Sequence, residues 1–149
     1  MPFEGGSQLV NYRDADEAFR TRNYEKAIGL YFEFLRDFPE DFAAWCNLGI
    51  SLGRMGRPED ALKCFDRALE LDPRSADAWH NRGLSLGSLG RREEELECYD
   101  RALEINPTYQ VSILKKVEVL RVLCREQEAN ELFREYTNRK RAAIQNVFK

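Results

Sequence analysis

The sequence is poor in the residues on which most catalytic and metal sites depend. Its 149 residues include a single histidine, His80, and four cysteines, none of them in a CxxC pair. A zinc site has little support from so few nitrogen and sulfur ligands. No HExxH, EF-hand, GxGxxG or P-loop pattern is present. Two GxSxG matches occur, at residues 49–53 and 83–87, but both lie in segments predicted below to be helical rather than in the strand-to-helix turn that this motif needs. We therefore expect a protein without a catalytic site and without a cofactor.

The chain also lacks long apolar runs and an excess of basic charge. No run approaches the roughly 18 apolar residues of a membrane helix. The 23 basic residues are outweighed by 26 acidic ones, for a net charge of −3, whereas nucleic-acid-binding domains are usually basic. The first ten residues, MPFEGGSQLV, lack the basic segment and the apolar run after it that a signal peptide would have. We expect a cytoplasmic protein with no membrane span and no nucleic-acid partner.

Helix-breaking residues are missing from the C-terminal part. No glycine follows Gly90 and no proline follows Pro107. Since these two residue types end most helices, their absence predicts a long last helix over about residues 126–148.

A 34-residue segment is repeated once, with substitutions, in residues 42–75 and 76–109. The copies read FAAWCNLGISLGRMGRPEDALKCFDRALELDPRS and ADAWHNRGLSLGSLGRREEELECYDRALEINPTY. A fixed period of this length predicts stacked supersecondary units. The residue pairs that recur at this period are Trp45/Trp79, Gly49/Gly83, Leu52/Leu86, Gly56/Gly90, Phe65/Tyr99, Ala68/Ala102 and Pro73/Pro107.

Each copy is predicted to form two helices. The first helix covers roughly residues 42–55 and 76–89, and Gly56 and Gly90 follow as C-terminal stop residues. The second helix opens near Pro58, since proline suits a first helical turn. It ends before the closing proline, because the residue that precedes proline avoids helical dihedrals.

With this period and these anchors, the chain resembles the tetratricopeptide repeat family. The resemblance implies an all-α, right-handed α-solenoid of stacked antiparallel helix pairs, with degenerate outer repeats and a long C-terminal capping helix. We expect a flexible N-terminus at 1–7, in which Ser7 caps the first helix, and a single domain at 8–143. The expected repeats are 8–41, 42–75, 76–109 and 110–143, and residues 144–149 end the capping helix.

The second copy departs from the pattern at two packed positions. Arg82 stands where the first copy has Leu48, and Glu95 stands where it has Ala61. Both changes introduce charge, so we expect a looser or wetter seam beside this repeat.

Members of this family bind partner proteins on a concave surface lined by the first helix of each repeat. Asn47 and Asn81 are equivalent positions, roughly 10 Å apart along a stack, and amide side chains can hold a peptide backbone. They could equally be ordinary solvated residues. The predicted peptide-binding residues are Tyr12, Arg13, Asn47, Ile50, Arg54, His80, Asn81, Leu84, Lys115 and Arg121.

The basic members of this set favour an acidic segment or a C-terminal carboxylate, although they could form a solvated face. Some relatives clamp the carboxyl end of heat-shock chaperones. Here Tyr12 and Asp16 stand in place of the first Lys and Asn of that clamp, and Asp77 and Asn81 in place of the last Lys and Arg. We therefore do not expect the chaperone clamp.

These observations predict a noncatalytic adaptor or scaffold whose partners are peptide segments of other proteins. The alternative is a self-assembly module that joins through its C-terminal helix or stacks end to end. Ile144, Val147 and Phe148 form an apolar end that folds back or pairs with a second copy. The basic cluster at 139–141 is either solvated surface or a contact for an acidic partner.

Overall fold

The computed structural model describes residues 12–147, which form α-helices and, within that range, no strand. In chain order the helices are α1 (Tyr12–Arg20), α2 (Tyr24–Asp37), α3 (Phe42–Arg54), α4 (Pro58–Leu71), α5 (Ala76–Ser88), α6 (Arg92–Ile105), α7 (Gln110–Val122) and α8 (Glu126–Val147). The predicted all-α class of paired helices is confirmed. The predicted cap Ser7 and the residue Phe148 lie outside the described residues.

The chain divides into two compact units. Unit 1 ends at Arg74 and contains α1 to α4, and unit 2 starts at Ser75 and contains α5 to α8. Each unit therefore holds two helix pairs. The single domain predicted at 8–143 and the four repeat boundaries stay predictions. Within residues 12–147 no helix is both long and apolar enough to span a membrane.

Side-chain caps explain why the first helices of the two central repeats begin where they do. The Asp41 carboxylate accepts a hydrogen bond from the Ala44 amide at 2.8 Å. The Ser75 hydroxyl accepts one from the Ala78 amide at 3.2 Å. Each bond satisfies an amide that the first helical turn would leave unpaired. The observed starts match the predicted ones, and the ends of α3 and α5 fall one residue before the predictions.

The turn inside each helix pair uses a left-handed residue at the same repeat position. Gly56 and Gly90 have φ of 73° and 74°, as expected of helix stop residues, and Arg22 and Cys124 have φ of 61° and 59°. These four positions are spaced by 34 residues. The backbone turn is thus kept in the outer repeats, where the sequence has no glycine to reveal it.

Replacing Arg22 or Cys124 by glycine is expected to stabilise the protein by up to about 1 kcal/mol. A left-handed backbone conformation costs an L-residue about 1–2 kcal/mol, and glycine removes this cost. Roughly half of the gain is offset because an unfolded chain with glycine has more conformational entropy to lose on folding. Urea unfolding measures the change. Gly56→Ala is the converse variant and should destabilise; a loss of stability on Arg22→Gly would contradict the prediction.

The core of unit 1 is built from large side chains set against very small ones. Tyr31, Leu48, Leu52 and Phe65 are at most 1% exposed, and they pack with a series of alanines. Gly49 faces the Phe65 ring so closely that an added Cβ would lie 2.8 Å from it. The small residue therefore sets the distance between α3 and α4.

The core of unit 2 centres on Tyr99, Val117, Leu120 and Ala129. Only the first part of α8 takes part in it, because Ala129 is the buried residue of that helix and every residue from 138 to 147 is exposed. Ile144 and Val147 are 58% and 79% exposed. The prediction that the apolar C-terminal end folds back is therefore wrong for Ile144 and Val147. The alternative, pairing with a second copy, stays a prediction.

Candidate peptide-binding faces

In unit 1, the first helices of two successive repeats are joined through Asn47. Its Nδ2 on α3 donates to the hydroxyl of Tyr12 on α1 at 3.2 Å, and to the hydroxyl of Tyr31 on α2 at 3.0 Å. Tyr31 is fully buried, and this burial raises the pKa of its hydroxyl well above the ordinary value. Both amide hydrogens of Asn47 are thus used within the fold.

In unit 2, the corresponding connection between α5 and α7 uses different residues. His80 Nδ1 lies 2.8 Å from the Ser112 hydroxyl, and the Tyr109 hydroxyl donates to the Asp77 carboxylate. The imidazole ring also lies between two aromatic rings, with centroids 5.4 Å from Tyr99 and 5.5 Å from Tyr109. His80 is only 8% exposed, so its side chain is a core element between helices as well as a predicted face residue.

Burial lowers the pKa of His80, Asp77 opposes that shift and Lys115 adds to it. The folded protein therefore favours the neutral ring, and between the lowered pKa and the ordinary value near 6.5 the unfolded chain binds more protons. The stabilisation by neutral His80 is complete above pH 6.5 and is lost as the pH falls through that window.

We therefore expect wild-type protein to lose more stability between pH 7.5 and pH 5 than the variant His80→Cys. Cysteine is the matched choice because Cys46 occupies the equivalent position one repeat earlier. Urea unfolding at several pH values gives both curves, and the carboxylates remote from His80 contribute equally to each. Parallel curves would contradict the expected role of His80.

Asn81 has a local environment unlike that of Asn47. Its Nδ2 donates to the Asp77 carbonyl oxygen at 2.8 Å, one turn back in its own helix. In the described part of the chain, no hydroxyl of another helix bonds to the Asn81 side chain. Asn47 and Asn81 belong to different units, so the ladder they were predicted to form stays a prediction.

The other predicted residues are spread along α1, α3, α5 and α7. Ile50 packs against the core of unit 1, while Arg13 and Arg54 are exposed. In unit 2, Lys115 pairs with Glu118 at 2.8 Å, and the Arg121 guanidinium lies 6.0 Å from the Phe133 ring centroid. Leu84 is exposed on α5. Their role in peptide binding stays a prediction.

Both charged departures of the second repeat have partners inside unit 2. Arg82 Nη1 lies 3.2 Å from Cys98 Sγ, and its guanidinium lies over the Trp79 ring, 5.9 Å from the centroid. The buried Glu95 carboxylate accepts hydrogen bonds from Tyr99 and Arg92. Within residues 12–147, no buried side-chain nitrogen or oxygen lacks a hydrogen-bond partner. The sequence marked these positions as unusual, but it did not indicate the partners.

Solved structures of similar fold include a MamA protein and a tetratricopeptide repeat domain with a bound peptide. The MamA RS-1 ArsTM double mutant is 17% identical, with a TM-score of 0.84, and the match covers 95% of this chain and 79% of that one. The first tetratricopeptide repeat domain of Spaghetti (RPAP3), bound to the HSP90 peptide SRMEEVD, is 20% identical with a TM-score of 0.74. That match covers 83% of this chain and 99% of the other. At these identities the likeness concerns the fold.

Sequence relatives point to the same architecture. Superkiller protein 3 of Schizosaccharomyces pombe is 46% identical over 52 residues, which are 35% of this chain and 4% of that protein. The tetratricopeptide repeat family matches residues 42–75 and 76–109, and a second description of the same repeat matches residues 12–52. Together these matches cover most of the described residues, and they include a degenerate outer repeat. The chain belongs to the tetratricopeptide repeat family.

Proposed function

We propose that this chain is a noncatalytic adaptor that binds an extended segment of another protein, acidic or C-terminal, along its first helices. The observation that carries the proposal is the pairing of first helices within each unit. Tyr12 and Asn47 join α1 to α3, and His80 and Ser112 join α5 to α7. Adjacent helices that are joined by such hydrogen bonds present a preorganised surface, which lowers the entropic cost of binding.

The exposed side chains on these helices are suited to an amphipathic or acidic ligand. Leu84 and Leu114 offer apolar contact in unit 2, and Arg54 ends α3 as an exposed cation in unit 1. Arg side chains bind carboxylates with charge-assisted hydrogen bonds. The RPAP3 domain with its bound SRMEEVD peptide supports the idea that this fold can hold an acidic segment.

Charge-removing variants test the acidic preference. A partner captured from cell extract and identified by mass spectrometry supplies the peptide, whose affinity is then measured by calorimetry. We expect Arg54→Ala to weaken binding about fivefold to tenfold, the loss of one charge-assisted contact. Arg67→Ala is the matched control, because Arg67 is exposed on α4 and pairs with Glu70. Equal affinities for all three proteins would contradict the acidic preference.

The second candidate function is self-assembly through the C-terminal helix. It is favoured by the exposure of Ile144 and Val147, which lie three residues apart on α8. Light scattering over a wide concentration range decides the matter. If the protein self-assembles in this way, its mass should rise with concentration and fall back on removal of residues 142–149. A monomer at every concentration would exclude this function.

A further inference from the structure

A pocket of about 260 Å³ lies within unit 2, between the end of α5, the start of α6 and one face of α7. Its apolar lining comes from Leu84, Val119 and Val122, and its charged lining includes Arg92 and Glu95. The volume is slightly below the range of about 300–1,000 Å³ found for small-molecule sites. It is therefore better suited to one long side chain than to a complete metabolite.

Glu95 supplies the most deeply buried charge of this pocket. Its side chain is 5% exposed. Oε1 accepts a hydrogen bond from the Tyr99 hydroxyl at 3.0 Å, and Oε2 accepts one from Arg92 Nη1 at 2.8 Å. A carboxylate has about four acceptor positions. Glu95 therefore retains the capacity to accept from a further donor.

The absence of a side chain at Gly87 leaves room for this carboxylate at the pocket wall. A Cβ at position 87 would lie 2.5 Å from Glu95 Oε1 and 2.7 Å from its carboxyl carbon. One repeat earlier the equivalent residues are Gly53 and Ala61, where an added Cβ would lie 4.0 Å from the alanine methyl group. The charged wall is therefore a property of the second copy of the repeat.

The other charged groups of the pocket are more exposed. Lys115 and Glu118 pair at 2.8 Å with side-chain exposures of 43% and 64%, and Arg92 is 40% exposed. Water and salt screen exposed charges strongly, whereas a desolvated charge acts at lower effective dielectric. The Arg92 guanidinium, which is bonded to Oε2, offsets part of the Glu95 charge. Oε1 is bonded to the neutral Tyr99 hydroxyl, so Oε1 is the acceptor to which an incoming cation would be attracted.

We propose that this pocket binds an arginine or lysine side chain of the partner segment. The cationic head would donate to Glu95, with Glu118 beside it, and the aliphatic stem would pack on the apolar lining. This inference rests on the proposed peptide-binding function and refines it, since it adds one basic residue to a segment proposed to be acidic or C-terminal.

Three model peptides test the proposal directly: Ac-AARAA-NH2, Ac-AAEAA-NH2 and Ac-AAAAA-NH2. They are titrated into the ¹⁵N-labelled full chain, and amide shifts are followed by NMR. We expect the arginine peptide to shift the resonances of Gly87, Ser88 and Val122 at concentrations at least tenfold below those of the other two peptides. Equal or stronger shifts with the glutamate peptide, or no shifts with the arginine peptide, would overturn the proposal.

Two variants identify the group responsible. Glu95→Gln keeps the shape and an acceptor for Tyr99, and it should weaken the arginine peptide about tenfold, because a charge-assisted hydrogen bond becomes a neutral one. Gly87→Ala should also weaken it, whereas the matched variant Gly53→Ala should not. Circular dichroism checks folding, and the comparison of peptides on the wild-type protein stands if a variant fails to fold. Unchanged affinity in folded Glu95→Gln would overturn the assignment.

The outcome is separable from that of the proposed function. If an identified partner segment binds the chain and keeps its affinity after its basic residues are changed to alanine, the pocket assignment is wrong and the adaptor function stands. If no partner segment binds the first helices, the adaptor function is wrong, whatever the arginine peptide does.

Discussion

Replacing Gly49 by alanine is expected to destabilise the protein by about 1–2 kcal/mol, although alanine is the better helix former. The new Cβ would lie 2.8 and 2.9 Å from two carbons of the Phe65 ring. That ring is 1% exposed, so it can yield only by displacing other core side chains. Overpacking of this kind costs about 1–3 kcal/mol, which outweighs the gain of up to about 1 kcal/mol in helix propensity.

The same substitution at Gly53 should have the opposite sign. Gly53 lies in the same helix, and among residues 12–147 its added Cβ would meet only Ala61, at 4.0 Å. We expect Gly53→Ala to stabilise the protein by up to about 1 kcal/mol. Gly29→Ala should behave likewise, because no atom of the described residues lies within 4 Å of its added Cβ. Gly83→Ala repeats the experiment in unit 2, since its Cβ would lie 2.8 Å from the Tyr99 ring. Urea unfolding of the four variants gives the comparison, and equal effects at Gly49 and Gly53 would contradict it.

Replacing Asn47 by alanine is expected to cost about 1–3 kcal/mol, while Asn81→Ala should change stability by less than about 0.5 kcal/mol. Asn47 donates to Tyr31 and Tyr12, and the Tyr31 hydroxyl is buried. A buried polar group that loses its partner costs about 1–3 kcal/mol. The bond of Asn81 is local and exposed, and changes at such surface positions are usually small.

A double-mutant cycle isolates this interaction. In the Tyr31→Phe background the hydroxyl is gone, so Asn47→Ala should cost at least about 0.5 kcal/mol less than it does in wild type. The same loss in both backgrounds would mean that Asn47 stabilises the fold in some other way. The readout is again the free energy of unfolding from urea titration.

This difference between the two asparagines changes how the predicted ladder must be tested. A loss of peptide affinity in Asn47→Ala would mix the loss of a contact with the loss of the α1–α3 connection. Asn81→Ala avoids that ambiguity, because the hydrogen bond of its side chain is to Asp77 within α5. Affinity should therefore be interpreted first from Asn81 variants, and from Asn47 variants only where unfolding shows the fold intact.

Helix positions were largely predictable because local rules set them. Asp41 and Ser75 cap the helices that follow them, and Gly56 and Gly90 adopt the left-handed turn that ends a helix. The absence of glycine and proline likewise predicted the long α8, which runs through Val147. Each of these features depends on residues a few positions apart in the chain.

The amino-acid sequence by itself determined the repeat, its family and the start of most helices, because period, caps and stop residues act over one or two turns. Tertiary structure alone decided how particular side chains are used. Asn47 bonds to tyrosines 35 and 16 residues away, His80 is buried against a serine 32 residues away, and Glu95 occupies space left by Gly87. Such roles depend on which helices meet and at what distance, which a one-dimensional pattern does not specify.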